Sequence, residues 1–362
     1  MAGTTLSDGR RAYVWTEAPT AGGGDLHDVY AEIRFANSAT GTDDVARFLV
    51  GGGAGNQYDV AIAANASSGG FAIAYQDRSV ADGQLTVKFY SVAGVLLTTV
   101  AQANVSVGLN DESFPKREVS IVGLSNGNYL VAWSDGATDN VFGRVYTSNG
   151  FAATGQVTLV TGTGYTSLPA LTALADGRFV AVVWDNATIK GRIFNNDGTV
   201  SSPEFEMTSA ADFNDGIEPS IAALQDGRFV VVWKSGGDIR GQVMFADGTK
   251  DGAEFVANTD TTGTQQDATV AALADGRFVV SWTDKSTGTD RVMATIFDPR
   301  ETNINQSGSS FGDDAYGTSF NDAYYAGAGN DTVRGQGGSD YILGEAGNDS
   351  LLGGDATDLL YG

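Results

Sequence analysis

Cysteine is absent from the 362 residues, and histidine occurs once, as His27. Without thiols there is neither a disulfide framework nor a zinc-thiolate site. With one imidazole, a Ser/His/Asp arrangement is confined to the surroundings of His27, and a lone histidine in a Gly/Asp loop reads first as a solvated side chain. Positive charge is also scarce, with 21 Lys+Arg against 44 Asp+Glu and a formal net charge of −23. Nucleic acid needs a basic footprint, so it is excluded as a partner, and anionic membrane surfaces are disfavoured for the same reason. No apolar run reaches the length of a membrane span, and no charged segment followed by an apolar core opens the chain as a leader. Phosphate loops, Gly-x-Ser-x-Gly elbows and His-Glu-x-x-His motifs are missing. An enzyme is left with carboxylate chemistry alone.

What is present is repetition, at two periods. The longer one runs from Met1 to about Asn303. Pro169–Trp184 reads PALTALADGRFVAVVW, Pro219–Trp233 reads PSIAALQDGRFVVVW, and Ala268–Trp282 reads ATVAALADGRFVVSW. The same frame recurs at Val119–Trp133 and Ala61–Tyr75, and a sixth copy opens the chain with Asp8-Gly9-Arg10 leading to Trp15. Within a copy, a short alternating strand enters Asp-Gly or Asn-Gly, the strongest short-range hairpin signal, and a β-branched strand follows to the aromatic landmark. A third strand (VFGRVY, IKGRIF, IRGQVMF, VMATIF) and a weaker fourth complete the unit. Six such units and no convincing helix predict a six-bladed β-propeller of four-stranded blades over residues 1–303. The tryptophans recur at one strand position, which marks them as blade core before sugar-stacking platforms.

The shorter period is nine residues and fills the end of the chain. From Gly327 the rows read GAGNDTVRG, QGGSDYILG, EAGNDSLLG and GDATDLLYG, with Asp331, Asp340, Asp349 and Asp358 in register, and Asp322 and Asp313 continue it backwards. An apolar or small residue two places after each aspartate can point inward from a three-residue strand, and glycine two places later allows a turn of positive φ. Two repeats then make one coil of a flattened right-handed parallel roll. Asp313, Asp331 and Asp349 stack on one edge, and Asp322, Asp340 and Asp358 on the other. Stacked carboxylates repel unless a cation separates them, and carboxylates with glycine carbonyls make a hard-oxygen site suited to Ca²⁺.

The run resembles the hemolysin-type calcium-binding nonapeptide repeat of the repeats-in-toxin family, most specifically in the turns carrying Gly329, Gly338 and Gly347. Phe311, Phe320 and Ala356 depart from the fourth-position glycine. The expected metal residues are therefore Asp331, Asp340, Asp349, Asp358, Gly329, Gly338 and Gly347 first, with Asp322 and Asp313 after them. Residues 313–362 are expected to form the calcium-binding roll, joined to the propeller by a linker at 304–312. The resemblance further implies export from a bacterium by type I secretion, hence an extracellular or cell-surface location. The chain stops at Gly362 in mid-pattern, as a truncated or continuing roll would.

Carboxylates also follow the landmark aromatics, at Glu17, Asp77, Asp135, Asp185 and Asp284. On a propeller these would ring one face, as a ligand surface or simply as turn caps in water. Function is sought on the face with variable loops, including Thr16–His27, Asn104–Lys116, Asn186–Thr188 and Ser209–Glu218. Three classes stay open. A calcium-dependent adhesin or lectin would bind a glycan, matrix or cell-surface ligand, and a structural surface-layer or matrix protein would self-associate. A carbohydrate-active enzyme would use an acid pair from the loops, and it is weighed as the least favoured.

Overall fold

The computed structural model describes residues 2–18, 27–35, 45–52, 56–65, 67–77, 84–101, 103, 119–135, 138–163, 166–186, 188–208, 219–286, 289–300, 305–318 and 320–362. Among them every regular element is a strand. The first five long repeats each fold into a four-stranded antiparallel sheet whose strands follow chain order. The first sheet runs Ala2–Thr5, Arg10–Glu17, Asp28–Phe35 and Val45–Gly51, and its opening strand has only four residues. Among the described residues the sixth sheet has three strands, Gln265–Ala272, Phe278–Asp284 and Arg291–Phe297. The chain that would supply a fourth strand instead enters the parallel region, where Asn305–Ser307 pairs with Ala323–Tyr325.

The second strands explain their own composition. In Phe229–Ser235, alternate residues face opposite ways, yet six of the seven are buried. Ala72 and Ala74 pack with Val131 and Trp133 of the third sheet, while Phe71, Ile73 and Tyr75 pack with Val14, Val29 and Ile33 of the first. The same two-sided packing joins the third sheet to the fourth and the fourth to the fifth. A strand covered on both faces reads as a continuous apolar run, as FVVVW does. Face-to-face stacking of small twisted antiparallel sheets is the packing of propeller blades.

The landmark spacing receives a correction in the fourth sheet. Phe179–Asp185 aligns with Tyr129–Asp135 and Phe229–Ser235 at offsets of fifty, so Val183, fully buried, stands where Trp133 and Trp233 stand. Trp184 is one place further on and faces the other way, half-buried.

Asp-x-Arg turns close the first hairpins. In Asp8-Gly9-Arg10, Asp176-Gly177-Arg178 and Asp275-Gly276-Arg277, the carboxylate accepts the arginine's backbone N–H at 3.0–3.1 Å and pairs with its guanidinium. The glycines have φ of 84°, 92° and 90°, a region that L side chains enter only with strain. Arg10 also reaches the carbonyl of Val92 in the next sheet.

By internal contacts the chain divides into two compact units. One is Met1–Ala223, Gly227–Val270 and Ser281–Met293; the other is Leu224–Asp226, Ala271–Val280 and Ala294–Gly362. The second holds the parallel roll, in which two stacks of short strands pair at a constant offset of eighteen residues: Asp314 with Thr332 and then Ser350, and Ala323 with Tyr341 and then Leu359. Its core is Ala315, Tyr324, Ala326, Val333 and Ile342, with Leu351 half-buried against it. Leu360, which continues the series, is exposed.

Candidate metal centre

The eighteen-residue offset carries the aspartates with it. Oδ1 of Asp331 accepts the backbone N–H of Asp313 at 2.8 Å, and Oδ1 of Asp349 accepts that of Asp331 at 3.0 Å. On the other edge Asp340 accepts from Asp322 at 2.8 Å, and Asp358 from Asp340 at 3.0 Å. From the second coil on, each column therefore uses one oxygen per carboxylate to join successive coils. The asparagines beside them repeat the device, Asn321 accepting from Ser339 and Asn330 from Asn348.

The remaining oxygens distinguish the members of a column. In the first turns they are satisfied by the protein: Asp313 accepts from the Ser309 backbone at 2.6 Å, and Asp322 accepts from the backbone and hydroxyl of Thr318 at 2.5 and 3.1 Å. In the later turns Gly327 and Gln336 hold the places of Ser309 and Thr318, so no hydroxyl is offered. Oδ2 of Asp331 and Oδ2 of Asp340 are buried without a hydrogen-bond partner. An orphaned, buried, anionic oxygen is costly unless a cation meets it. Burial, and then the charges of Asp322 and Asp358, push the Asp340 carboxyl above its ordinary value, although the Asp322 N–H opposes them.

Glycine supplies the space. A Cβ at Gly335 would collide with Oδ2 of Asp340 and with the carbonyl oxygen of Gly353, and one at Gly317 would meet Oδ2 of Asp322 and the carbonyl of Gly335. A carboxylate oxygen and a backbone carbonyl thus converge on a cradle that any side chain would fill. Among the described residues no group of three or more His, Asp or Glu side chains gathers around a point, so a cation here would be held by carboxylates together with carbonyls. That all-oxygen donor set fits Ca²⁺. Gly329, Gly338 and Gly347 lie where successive turns touch: their Cβ atoms would strike the backbone of Phe311, Phe320 and Gly329. Ala356 takes the same place in the last turn at φ 78°.

The five propeller acids end the second strands of their sheets and are engaged inside their own sheets. Asp185, 1% exposed, accepts from Thr163 N at 3.0 Å, Thr163 Oγ1 at 2.9 Å and Lys190 Nζ at 2.6 Å. Asp284 accepts from Gln265 and from the Ser286 backbone, whose N–H holds its carboxyl below the ordinary value. Asp77 accepts from Gln57, and Asp135 from Thr138. Glu17 accepts from Trp15 Nε1 at 3.0 Å and pairs with Arg47 at 2.9 Å. Sequence reasoning missed these polar partners, whose only signal is a Gln, Thr or Lys at a strand end. The fifth sheet has Ser235 at this position and no acid. His27 stands beside Tyr58, ring centroids 6.1 Å apart. Residues 19–26, 104–116, 187 and 209–218 of the loops singled out by sequence lie outside the described residues.

Comparison with known proteins agrees with both halves. The RTX calcium-binding nonapeptide repeat matches residues 316–351 and 335–362. The C-terminal region thus carries calcium-binding repeats. No curated protein sequence matches the chain. Among solved structures, a Dyadobacter fermentans protein of unknown function aligns with 83% of this chain and 94% of its own at 13% identity and a TM-score of 0.55. The Penicillium chrysogenum alpha-L-arabinanase complexed with arabinobiose aligns over 82% and 92% at 14% identity and a TM-score of 0.49. Identity this low bears on the fold alone, and an alignment below a TM-score of 0.5 carries no functional argument. No helix among the described residues is long and apolar enough to cross a membrane.

Proposed function

We propose that this is an exported calcium-dependent binding protein. Its roll, 313–362, folds on Ca²⁺, and its propeller-like region, 1–303, presents a lectin- or adhesin-like surface to a glycan or matrix ligand. The observation that carries the calcium half is the pair of buried, unpartnered oxygens on Asp331 and Asp340, the latter beside a cradle kept open by Gly335. Asp331 with Asp349, and Asp340 with Asp358, are the foremost metal pairs; Asp313 and Asp322 already have protein donors. Carbonyls from the glycine-rich turns complete the set.

Export follows from the same physics. In a calcium-poor cytosol the stacked carboxylates repel and the roll stays open for passage. At extracellular calcium they are neutralised, and binding free energy becomes folding free energy. What supports a binding role over catalysis is the fate of the propeller acids. Asp185 has both oxygens taken and a lysine beside it, and Asp77, Asp135 and Asp284 are tied to their own sheets. Recognition is then left to the loops.

The test is a glycan-array screen of the whole chain, once in millimolar calcium and once in chelator. Calcium-dependent binding to a defined sugar is expected. A blank array in both conditions, with calcium-driven self-association instead, would contradict the lectin reading and favour a structural surface protein.

A further inference from the structure

Arg300 lies just before the roll, in Asp298-Pro299-Arg300, and it repeats the Asp-x-Arg pairing of the hairpin turns. Its backbone N–H donates to Asp298 Oδ1 at 3.1 Å and its Nε to the same oxygen at 2.7 Å. Unlike Arg178, whose guanidinium stays on its own aspartate, it goes on to make three further bonds. Nη1 donates to the carbonyls of Asp275 at 3.0 Å and Tyr316 at 3.1 Å, and Nη2 donates to Asp298 Oδ2 and, at 2.7 Å, to the carbonyl of Gly317. A guanidinium has five N–H donors, and the five side-chain bonds to Asp298, Asp275, Tyr316 and Gly317 match them in number. The side chain is 8% exposed. Around it, Arg277 stacks on the Tyr316 ring at 4.0 Å, with Arg334 on the same ring at 4.7 Å.

The position of Gly317 gives this contact its meaning. Gly317, Gly335 and Gly353 are the equivalent glycines of one edge, each five residues before an aspartate of the Asp322, Asp340 and Asp358 column. The carbonyl of Gly335 points at the cradle of Gly317 and Asp322, and that of Gly353 at the cradle of Gly335 and Asp340. The carbonyl of Gly317 is the first in that series, and an arginine takes it. Asp322 in turn contributes to holding the Arg300 charge, after Asp298 and Asp275, and the Thr318 N–H donates to its Oδ2.

We propose that Arg300 is a built-in cationic cap: it fixes the first coil of the roll to the Asp275-Gly276-Arg277 hairpin without calcium and so provides the end from which calcium-driven folding proceeds. The proposal deepens the reading of the roll as a calcium-folded element and rests on it for its second half only. The first half concerns the chain in chelator. Protein donors close the turns at Asp313 and Asp322, Arg300 closes the carbonyl end, and the first place where the structure asks for an ion is at Asp331 and Asp340. The inward residues Ala315 and Tyr324 of that coil are already buried.

The experiment is peptide-level amide exchange on the full chain, in chelator and across a calcium titration, for wild type, Arg300→Gln and Arg300→Lys. In chelator, wild-type residues 305–309, which pair with Ala323–Tyr325 and Asp313 inside the first coil, are expected to stay protected while 327–362 exchange freely. Arg300→Gln should speed exchange of 305–309 and raise the calcium midpoint for 327–362 by roughly tenfold, the loss of one or more charge-assisted hydrogen bonds. Arg300→Lys, with the charge kept but fewer donors, should fall between. Equal, fast exchange of both segments in wild type overturns the cap even if no variant folds. So does an Arg300→Gln protein with wild-type protection and midpoint. If 327–362 ignores calcium in wild type while 305–309 is protected, the calcium reading fails and the cap stands.

Discussion

Asp331 and Asp340 each keep one oxygen without a partner, whereas Asp185, no less buried, has both oxygens bonded. The difference lies in neighbours. A hydroxyl or lysine within reach makes a buried carboxylate a structural pin, and where Gly327 and Gln336 replace that hydroxyl the oxygen is left for a cation. Replacing Asp331 or Asp340 by Asn should weaken calcium-induced folding by at least on the order of tenfold, since even outer partners of a metal site are worth that much. Asp313→Asn should do less. A calorimetric calcium titration of the three variants reads the order, and equal losses would refute the ranking. Gly335→Ala should be as damaging as Asp340→Asn, because its methyl group enters the cradle. Lys190→Met leaves the buried Asp185 charge without its ammonium partner, and a stability loss of about 3–5 kcal/mol is expected in urea unfolding. An unchanged midpoint would mean that the pair is dispensable. The aspartate register was legible in the sequence because nine and eighteen are visible spacings. The partners of Asp77, Asp185 and Asp284 were not, because Gln57, Thr163 and Gln265 reach them across strands at separations that no local pattern marks.

In each blade-like sheet the second strand carries the packing of both neighbours, so its residues are not interchangeable. Trp233 is fully buried and Trp184 is not. Trp233→Ala should cost about 3–5 kcal/mol by the cavity it leaves, and Trp184→Ala markedly less; equal losses would place both tryptophans in the core. Hairpins and second strands were readable from Asp-Gly turns and apolar runs. The shift of Trp184 was not, since an aromatic landmark one place off still satisfies the eye while the pleat turns it to the opposite face. The three-stranded last sheet was legible in part, since no clear outer strand follows VMATIF in the sequence, whereas the pairing of Asn305–Ser307 with Ala323–Tyr325 is decided by the roll's register. The turns add a pH signature. Arg10 and Arg178 hold Asp8 and Asp176 below the ordinary 3.8. Their stabilisation is therefore complete above that value and lost as pH falls through the lower folded values. The unfolding midpoint of the propeller-like region should hold steady down to about pH 4 and decline below it.

Over the whole chain, under the proposed function, the acidity of the roll is coupled to its folding through calcium. A net charge of −23 opposes compaction, and in the roll that opposition is concentrated in two columns of carboxylates eighteen residues apart. The antiparallel sheets bury continuous apolar strands between neighbours. The roll has a small core of five buried residues, among them Ala315 and Ala326, too little to order short parallel strands against stacked charge. The most direct measurement is amide exchange of the complete chain with and without millimolar calcium. Protection of residues 327–362 should appear with the ion and vanish in chelator, while the second strands such as Phe71–Asp77 and Phe229–Ser235 stay protected in both. A roll protected equally in chelator, or in neither condition, would contradict calcium-driven folding.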